Sequence, residues 1–378
     1  MRVEPFEMER WQSLHEHQVE INLSDSGVHP LSLAELLDGP DGPDALAALG
    51  DVRLIYTQTN GTPELRRRIA ALHPAASEDE VLVTTGAAEA NFTVLWSLVE
   101  PGDEVVVMLP NYMQIPGLVR SLGARLIPWT WKPDLDAGRW EASLDELQDL
   151  VNERTRLIAI CNPGNPTGAS LDAQTLDEIC RIAGRHGAWV LCDEIYRGCE
   201  LSGPPTPGLW GRYERALVTG SLSKAYGLPG LRLGWLVAPQ STCADVWAHR
   251  DYTTIAPAAL SDHLASLALE PGRRARLLER GRQLLAGNLA RVNAWLAGRG
   301  GLLRHIPPTA GAMLFLRYEH RIGSRALASR LLEEQSVLVI PGDHFGLDGW
   351  LRVGFGGEAQ VVERGLSRIE SVLADLPL

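Results

Sequence analysis

RLIAICNPGNPTG, residues 156 to 168, passes from an apolar run directly into a turn rich in Asn, Pro and Gly. A run with no polar alternation has no solvated face, so it reads as a strand buried on both sides. The prolines and glycines that follow end it and stiffen a loop at its C-terminal end. The same plan recurs in VLVTT (81–85), EVVVM (104–108), AWVLCD (188–193), RALVTGS (215–221) and RLGWLVA (232–238), with segments of helical period between them. Buried strands alternating with helices predict an α/β fold, with a mostly parallel central sheet covered by helices on both faces.

Beyond residue 257 the pattern changes to a long Arg/Leu-rich helical stretch (271–299), then AMLFLR (312–317), SVLVI (336–340) and WLRVGF (350–355). The expected division is an N-terminal segment (1–45) packing with a smaller α+β C-terminal domain (258–378), and a large domain between them (46–257). With 378 residues, 45% of them hydrophobic and 22% charged, the chain reads as a soluble globular protein with a sizeable core. No apolar run approaches the ~20 residues a membrane helix needs. The opening MRVEPFEMERWQSLHEH is charged and lacks the apolar core of a signal peptide, which predicts a cytoplasmic location. Five cysteines without a C-x-x-C pair imply neither a disulfide framework nor a zinc site and are expected to be reduced and buried. A net charge of −12 weighs against a nucleic-acid surface and leaves a small molecule or another subunit as the expected partner.

The chemistry is expected at the strand ends, where an open α/β sheet places its ligands. SLSKAYGLPGLRLGW (221–235) sets Lys224 among small residues and glycines. It resembles the lysine motif of aminotransferases of the aspartate aminotransferase superfamily (class I/II, fold type I), which bind pyridoxal 5'-phosphate (PLP). The resemblance implies the three-layer PLP-transferase fold, with Lys224 forming the Schiff base to PLP. An amine suits that role because it can exchange with the substrate amine and then act as the base for the α-proton. Ser221 and Arg232 would donate to the cofactor phosphate, a hydroxyl and a guanidinium fork being suited to a dianion. S-x-x-K also occurs in unrelated serine hydrolases, and by itself it leaves an ordinary loop lysine open.

CNPGNPTG (161–168) matches the family's N-P-x-N-P-T-G turn and makes Asn165 the expected partner of the ring 3-oxygen. In LCDEIYRG (191–198), Asp193 would pair with the pyridinium nitrogen and Tyr196 would donate to the ring oxygen. A carboxylate there keeps the nitrogen protonated, so that the ring can take electrons from the substrate carbanion. Helix N-capping is the alternative role for Asp193. TTGAAEANF (84–92) runs from strand into helix and offers the N–H groups of Gly86, Ala87 and Ala88 to the phosphate. Tyr112 of PNYMQ would stack on the pyridine face, with a core tyrosine as the alternative. YTQTNGTPELRRRIA (56–70) resembles the segment whose tyrosine, here Tyr56, reaches the neighbouring subunit's phosphate, which implies a homodimer with shared active sites. Arg352 in WLRVGFG stands where the family keeps the arginine that grips the substrate α-carboxylate, the alternative being a surface residue of an edge strand. Gly27 of SDSGVHP would lie near the same carboxylate.

The resemblance implies a ping-pong transfer of an amino group from an amino acid to a 2-keto acid. TAGAMLFLRY (309–318) departs from the aromatic run of many relatives. SGVH, SKAYGLPGLR and RDY also resemble capreomycidine synthase, a relative that cyclises a hydroxylated arginine, so a PLP-dependent lyase or cyclase stands as the alternative activity. A catalytically idle ligand-sensing domain is a further alternative, disfavoured because the resemblance starts too near the N-terminus to leave room for a DNA-binding module. Arg250 could reach a substrate carboxylate across the dimer or form an ion pair with Asp251 or another acid. His29 and His344 are expected in rim loops.

Overall fold

The structure is a computed structural model that describes residues 3–39, 42–299 and 301–377. Fifteen strands follow in chain order: β1 (Ile21–Asn22), β2 (Val81–Thr84), β3 (Glu104–Leu109), β4 (Arg125–Thr130), β5 (Lys132–Asp134), β6 (Arg139–Glu141), β7 (Thr155–Cys161), β8 (Trp189–Asp193), β9 (Ala216–Ser221), β10 (Gly234–Val237), β11 (Leu303–His305), β12 (Met313–Tyr318), β13 (Val337–Leu338), β14 (Ile340–Pro341) and β15 (Trp350–Gly354). Seven of them form one sheet in the order β2-β10-β9-β8-β7-β3-β4. Within it β10 alone runs against the direction of the other six strands.

The side chains of this sheet divide by parity, as a period of two requires. Val106, Ile158, Val190 and Val218 enter one apolar core, and Val105, Leu157, Leu191 and Leu217 enter the other. Neither face of the central strands is left to solvent, and β9 is buried along its whole length. That two-sided burial is the physical reason these strands read as unbroken apolar runs, and it makes the large sheet the middle of three layers.

The C-terminal part carries a second, antiparallel sheet of order β11-β12-β15-β14. The N-terminal segment joins that part through a parallel pairing of Ile21 with Val337 and Asn22 with Leu338. SVLVI, expected as one strand, is two. Ser336 takes a left-handed φ of 51°, Val337–Leu338 pairs with β1, and Ile340–Pro341 pairs antiparallel with β15. The stretch 232–238 likewise becomes a strand only at Gly234, because Arg232 is left-handed at φ 48°.

Candidate active site

Parallel register brings the site together. Cys161 pairs with Asp193 and Asp193 with Thr219, so three neighbouring strands end almost level. The chain leaving each of them therefore meets at one edge of the sheet. Asn162 N–H donates to the Asp193 carbonyl at 2.9 Å and ties the 162–168 turn to the end of β8. Against this edge lies a cavity of about 610 Å³ lined by Lys224, Asp193, Tyr196, Asn165, Tyr112, Arg232, Arg352, Ala87 and Ala88.

Asp193 is buried. Asn91 Nδ2 donates to its Oδ2 at 3.1 Å and Ile195 N–H to its Oδ1 at 3.1 Å, while Thr219 Oγ1 donates to Asn91 Oδ1 at 2.9 Å. Burial pushes the Asp193 carboxyl up to about 6, against the pull of the Asn91 and Ile195 bonds. Burial likewise lowers the Lys224 ammonium below the ordinary lysine value, an effect the nearby Asp25 charge opposes.

Tyr196 Oη donates to Ser26 Oγ at 2.9 Å and accepts from Asn165 Nδ2 at 3.0 Å. Burial holds its hydroxyl protonated well above the usual tyrosine range. The other end of the Asn165 amide accepts from Arg352 Nη1 at 3.0 Å, and Arg352 Nη2 donates to the Ser24 carbonyl at 2.6 Å. Arg352 comes from the centre of β15, paired on one side with Phe315 and on the other with Ile340, and its guanidinium lies 5.5 Å from the Phe345 ring centroid. It is only 2% exposed, and its Nε has no hydrogen-bond partner among the described residues. Such an orphaned charged donor is costly unless a ligand completes it.

Across the cavity, Gly86 begins the helix Ala87–Leu98 at φ 82°. A Cβ on Gly86 would stand 2.6 Å from Arg232 Nη2, and one on Gly234 would stand 2.4 Å from the Ala87 nitrogen. The first helical turn, the Arg232 guanidinium and β10 thus converge with room only for backbone. A helix N-terminus beside a guanidinium is a site for a phosphate dianion. The set of a cradled anion position, an amine with lowered pKa, a buried carboxyl and an orphaned guanidinium nitrogen fits PLP with an amino-acid substrate.

The chain matches the family model for aminotransferase class I and II over residues 33–369. It belongs to the class I and II aminotransferases. It is 33% identical over 373 residues to capreomycidine synthase of Streptomyces vinaceus, covering 97% of this chain and 93% of that one. It is 31% identical over 340 residues to an arginine–pyruvate transaminase of Pseudomonas aeruginosa, covering 85% and 83%. Among solved structures it superposes on a PLP-dependent aminotransferase of Streptococcus suis with a TM-score of 0.93 at 32% identity over 100% of both chains. The PLP-dependent cyclase OrfR gives 0.88 at 29% identity over 99% and 98%. This aminotransferase is an enzyme whose cofactor is PLP and whose substrates are small amino and keto acids.

Other residues singled out from the sequence are not among those that line this cavity. Ser221 is buried, its Oγ accepting from Ser223 N–H at 3.1 Å, and it is Ser223 that lines the cavity. Gly27 packs against Lys224, where an added Cβ would come within 3.2 Å of Cδ. Tyr56 is 80% exposed and does not line the cavity. Arg250 is fully buried, and its ion pair is with Glu89 at 3.3 Å rather than with Asp251. His29 lines a neighbouring cavity that shares Lys224, with its Nε2 3.5 Å from a Glu358 carboxylate oxygen. His344 is not in a rim loop: it is buried beside Trp11, and burial lowers its pKa.

Sequence reasoning missed Asn91, Ser24, Ser26 and the N-terminal helix Glu7–His15, whose Met8 and Glu9 line the cavity. Asn91 left a signal, being a polar residue on the same buried helix face as Ala87, Ala90, Val94 and Leu95.

Proposed function

We propose that this enzyme moves an amino group from an amino acid to a 2-keto acid by a ping-pong mechanism, as a homodimer in the cytoplasm. The observation that carries the reading is that Lys224, Asp193 and Arg352, whose buried Nε has no hydrogen-bond partner among the described residues, line one cavity. Bound PLP supplies an electron sink for the substrate Cα and carries the amino group between the two half-reactions.

The chain's own residues do the rest. Arg352 receives the substrate α-carboxylate, which completes its buried guanidinium, and Asn165 fixes the angle of that fork through its 3.0 Å bond to Nη1. The Lys224 amine, whose proton burial has loosened, is the base placed to take the substrate α-proton and the acid that would hold it for return. Asp193, oriented by Asn91, is the residue for the ring nitrogen, and Tyr196 with Asn165 for the ring oxygen. Arg232 and the backbone of Gly86, Ala87 and Ala88 are the residues for the phosphate, with Ser223 at the cavity wall and Ser221 accepting from its N–H. Tyr112 covers a ring face, its own ring packed edge-on against Phe6 at 4.9 Å. Gly27 keeps space beside Lys224.

The dimer is supported by the exposure of Leu54, Ile55, Tyr56 and Tyr252, all at least 68% accessible. Thr57 Oγ1 donates to the Pro257 carbonyl at 2.9 Å, so the two segments that carry these residues are adjacent. The location is supported by five cysteines, all buried and unpaired, and by the absence, among the described residues, of a helix long and apolar enough to cross a membrane. Initial rates at several concentrations of both substrates test the reaction. A ping-pong transaminase gives parallel double-reciprocal lines, and intersecting lines contradict it.

The likeness to capreomycidine synthase and to a PLP-dependent cyclase favours a second reading, elimination and ring closure on a β-substituted amino acid such as a hydroxyarginine. Deprotonation at Cα serves both outcomes. Turnover without any keto acid would select the second.

A further inference from the structure

The N-terminal helix presents two stripes with different tasks. Met8, Trp11 and His15, at i, i+3 and i+7, form the stripe toward the protein: Met8 is buried, and Trp11 Nε1 donates to the Val339 carbonyl at 2.9 Å. The adjacent stripe, Glu9, Gln12 and Glu16, lines the active-site cavity. The first stripe anchors the helix, with Met8 also at the cavity wall, and the second faces the cavity.

The charges of the cavity then divide by task. Its basic groups among the described residues are Lys224, Arg232 and Arg352. The function proposed above gives the first to proton transfer, the second to the phosphate and the third to the α-carboxylate. Arg250 is engaged with Glu89, so among the described residues of this chain no basic group lining the cavity is left for a carboxylate side chain. The acids left after Asp193 are Glu9 and Glu16. Glu9 Oε1 accepts from Tyr112 Oη at 2.7 Å, and a carboxylate has capacity for further donors. An amino acid held at Arg352 by its carboxylate has its side chain as the part left to meet this stripe.

We propose that Glu9 and Glu16 select an amino acid with a cationic side chain, a guanidinium or an ammonium, with Gln12 as an uncharged acceptor between them. The selection works in both directions: a cation gains charge-assisted hydrogen bonds, and an acidic side chain meets like charge. The inference rests on the transaminase reading of the cavity and deepens it.

The test uses PLP-loaded enzyme and five amino acids: L-arginine, L-ornithine, L-citrulline as the uncharged analogue of arginine, L-leucine and L-glutamate. kcat/KM is measured for the first half-reaction, and binding is measured by calorimetry on PLP-loaded Lys224→Ala enzyme. The expected result is a preference of about tenfold or more for arginine or ornithine over citrulline, the worth of one charge-assisted bond. Arginine ahead of ornithine identifies a guanidinium site, and the reverse an ammonium site. Glu9→Gln and Glu16→Gln should each reduce that preference in both kcat/KM and affinity. Leucine, citrulline or glutamate reacting as well as the cations would overturn this proposal while leaving the transaminase reading intact. So would a preference that both variants retain. An enzyme that binds PLP and neither reacts with nor binds arginine or ornithine overturns this proposal, and the double-reciprocal test decides the transaminase reading separately.

Discussion

Asp193 shows how one residue's environment sets its chemistry. An unfolded aspartate titrates near 3.8 and this one near 6, so between those values the folded chain holds a proton that the unfolded chain has lost. The cost of burying the charge is fully present above pH 6 and gone below about pH 4. In PLP-free enzyme, Asp193→Asn should therefore be more stable than the parent by about 3 kcal/mol at pH 8, with the gap closing toward pH 4. Urea unfolding at the two pH values checks this, and a gap independent of pH would contradict it. For Arg352 the expectation is loss of function with retention of fold. Arg352→Lys keeps the charge and loses the planar fork, so kcat/KM should fall by about a hundredfold, measured by steady-state kinetics on enzyme whose unfolding midpoint is also determined.

At the scale of elements, a tight junction joins β10 to the start of the helix Ala87–Leu98. Gly234→Ala places a methyl 2.4 Å from the Ala87 nitrogen and must push strand and helix apart. The expected cost is about 1–3 kcal/mol, with weakened PLP retention because the anion cradle opens. Urea midpoints and the fraction of cofactor retained on gel filtration check both effects. This interior part of the fold was legible in the sequence because strands buried on two faces carry unbroken apolar runs. The edge strand β4 was not, since Arg125–Thr130 is mostly solvated and contains Pro128. Two-residue strands such as β13 and β14 are too short for any period to reveal. Within the site, Lys224, Asn165, Asp193 and Tyr196 were readable from local motifs. Ser24, Ser26, Met8 and Glu9 were not, because they reach Arg352, Tyr196 and Tyr112 only once β1 has paired with β13 and the N-terminal helix has docked.

At the scale of the whole molecule, the proposed dimer would cover the exposed segments around Tyr56 and Tyr252. Sedimentation should give one species of twice the 41.3 kDa chain mass. Ile55→Asp should shift it toward monomer and lower its PLP content, whereas a monomeric parent enzyme with full activity would remove the shared-site model. The chain's relatives include enzymes named for transamination and for cyclisation, and the residues that remove the α-proton serve either. The measurement that separates them is a single turnover of PLP-loaded enzyme with amino acid and no keto acid, read by mass spectrometry of cofactor and product. The transaminase account predicts one equivalent of keto acid per site and conversion of the cofactor to pyridoxamine phosphate. Repeated turnover with the cofactor still PLP would contradict it.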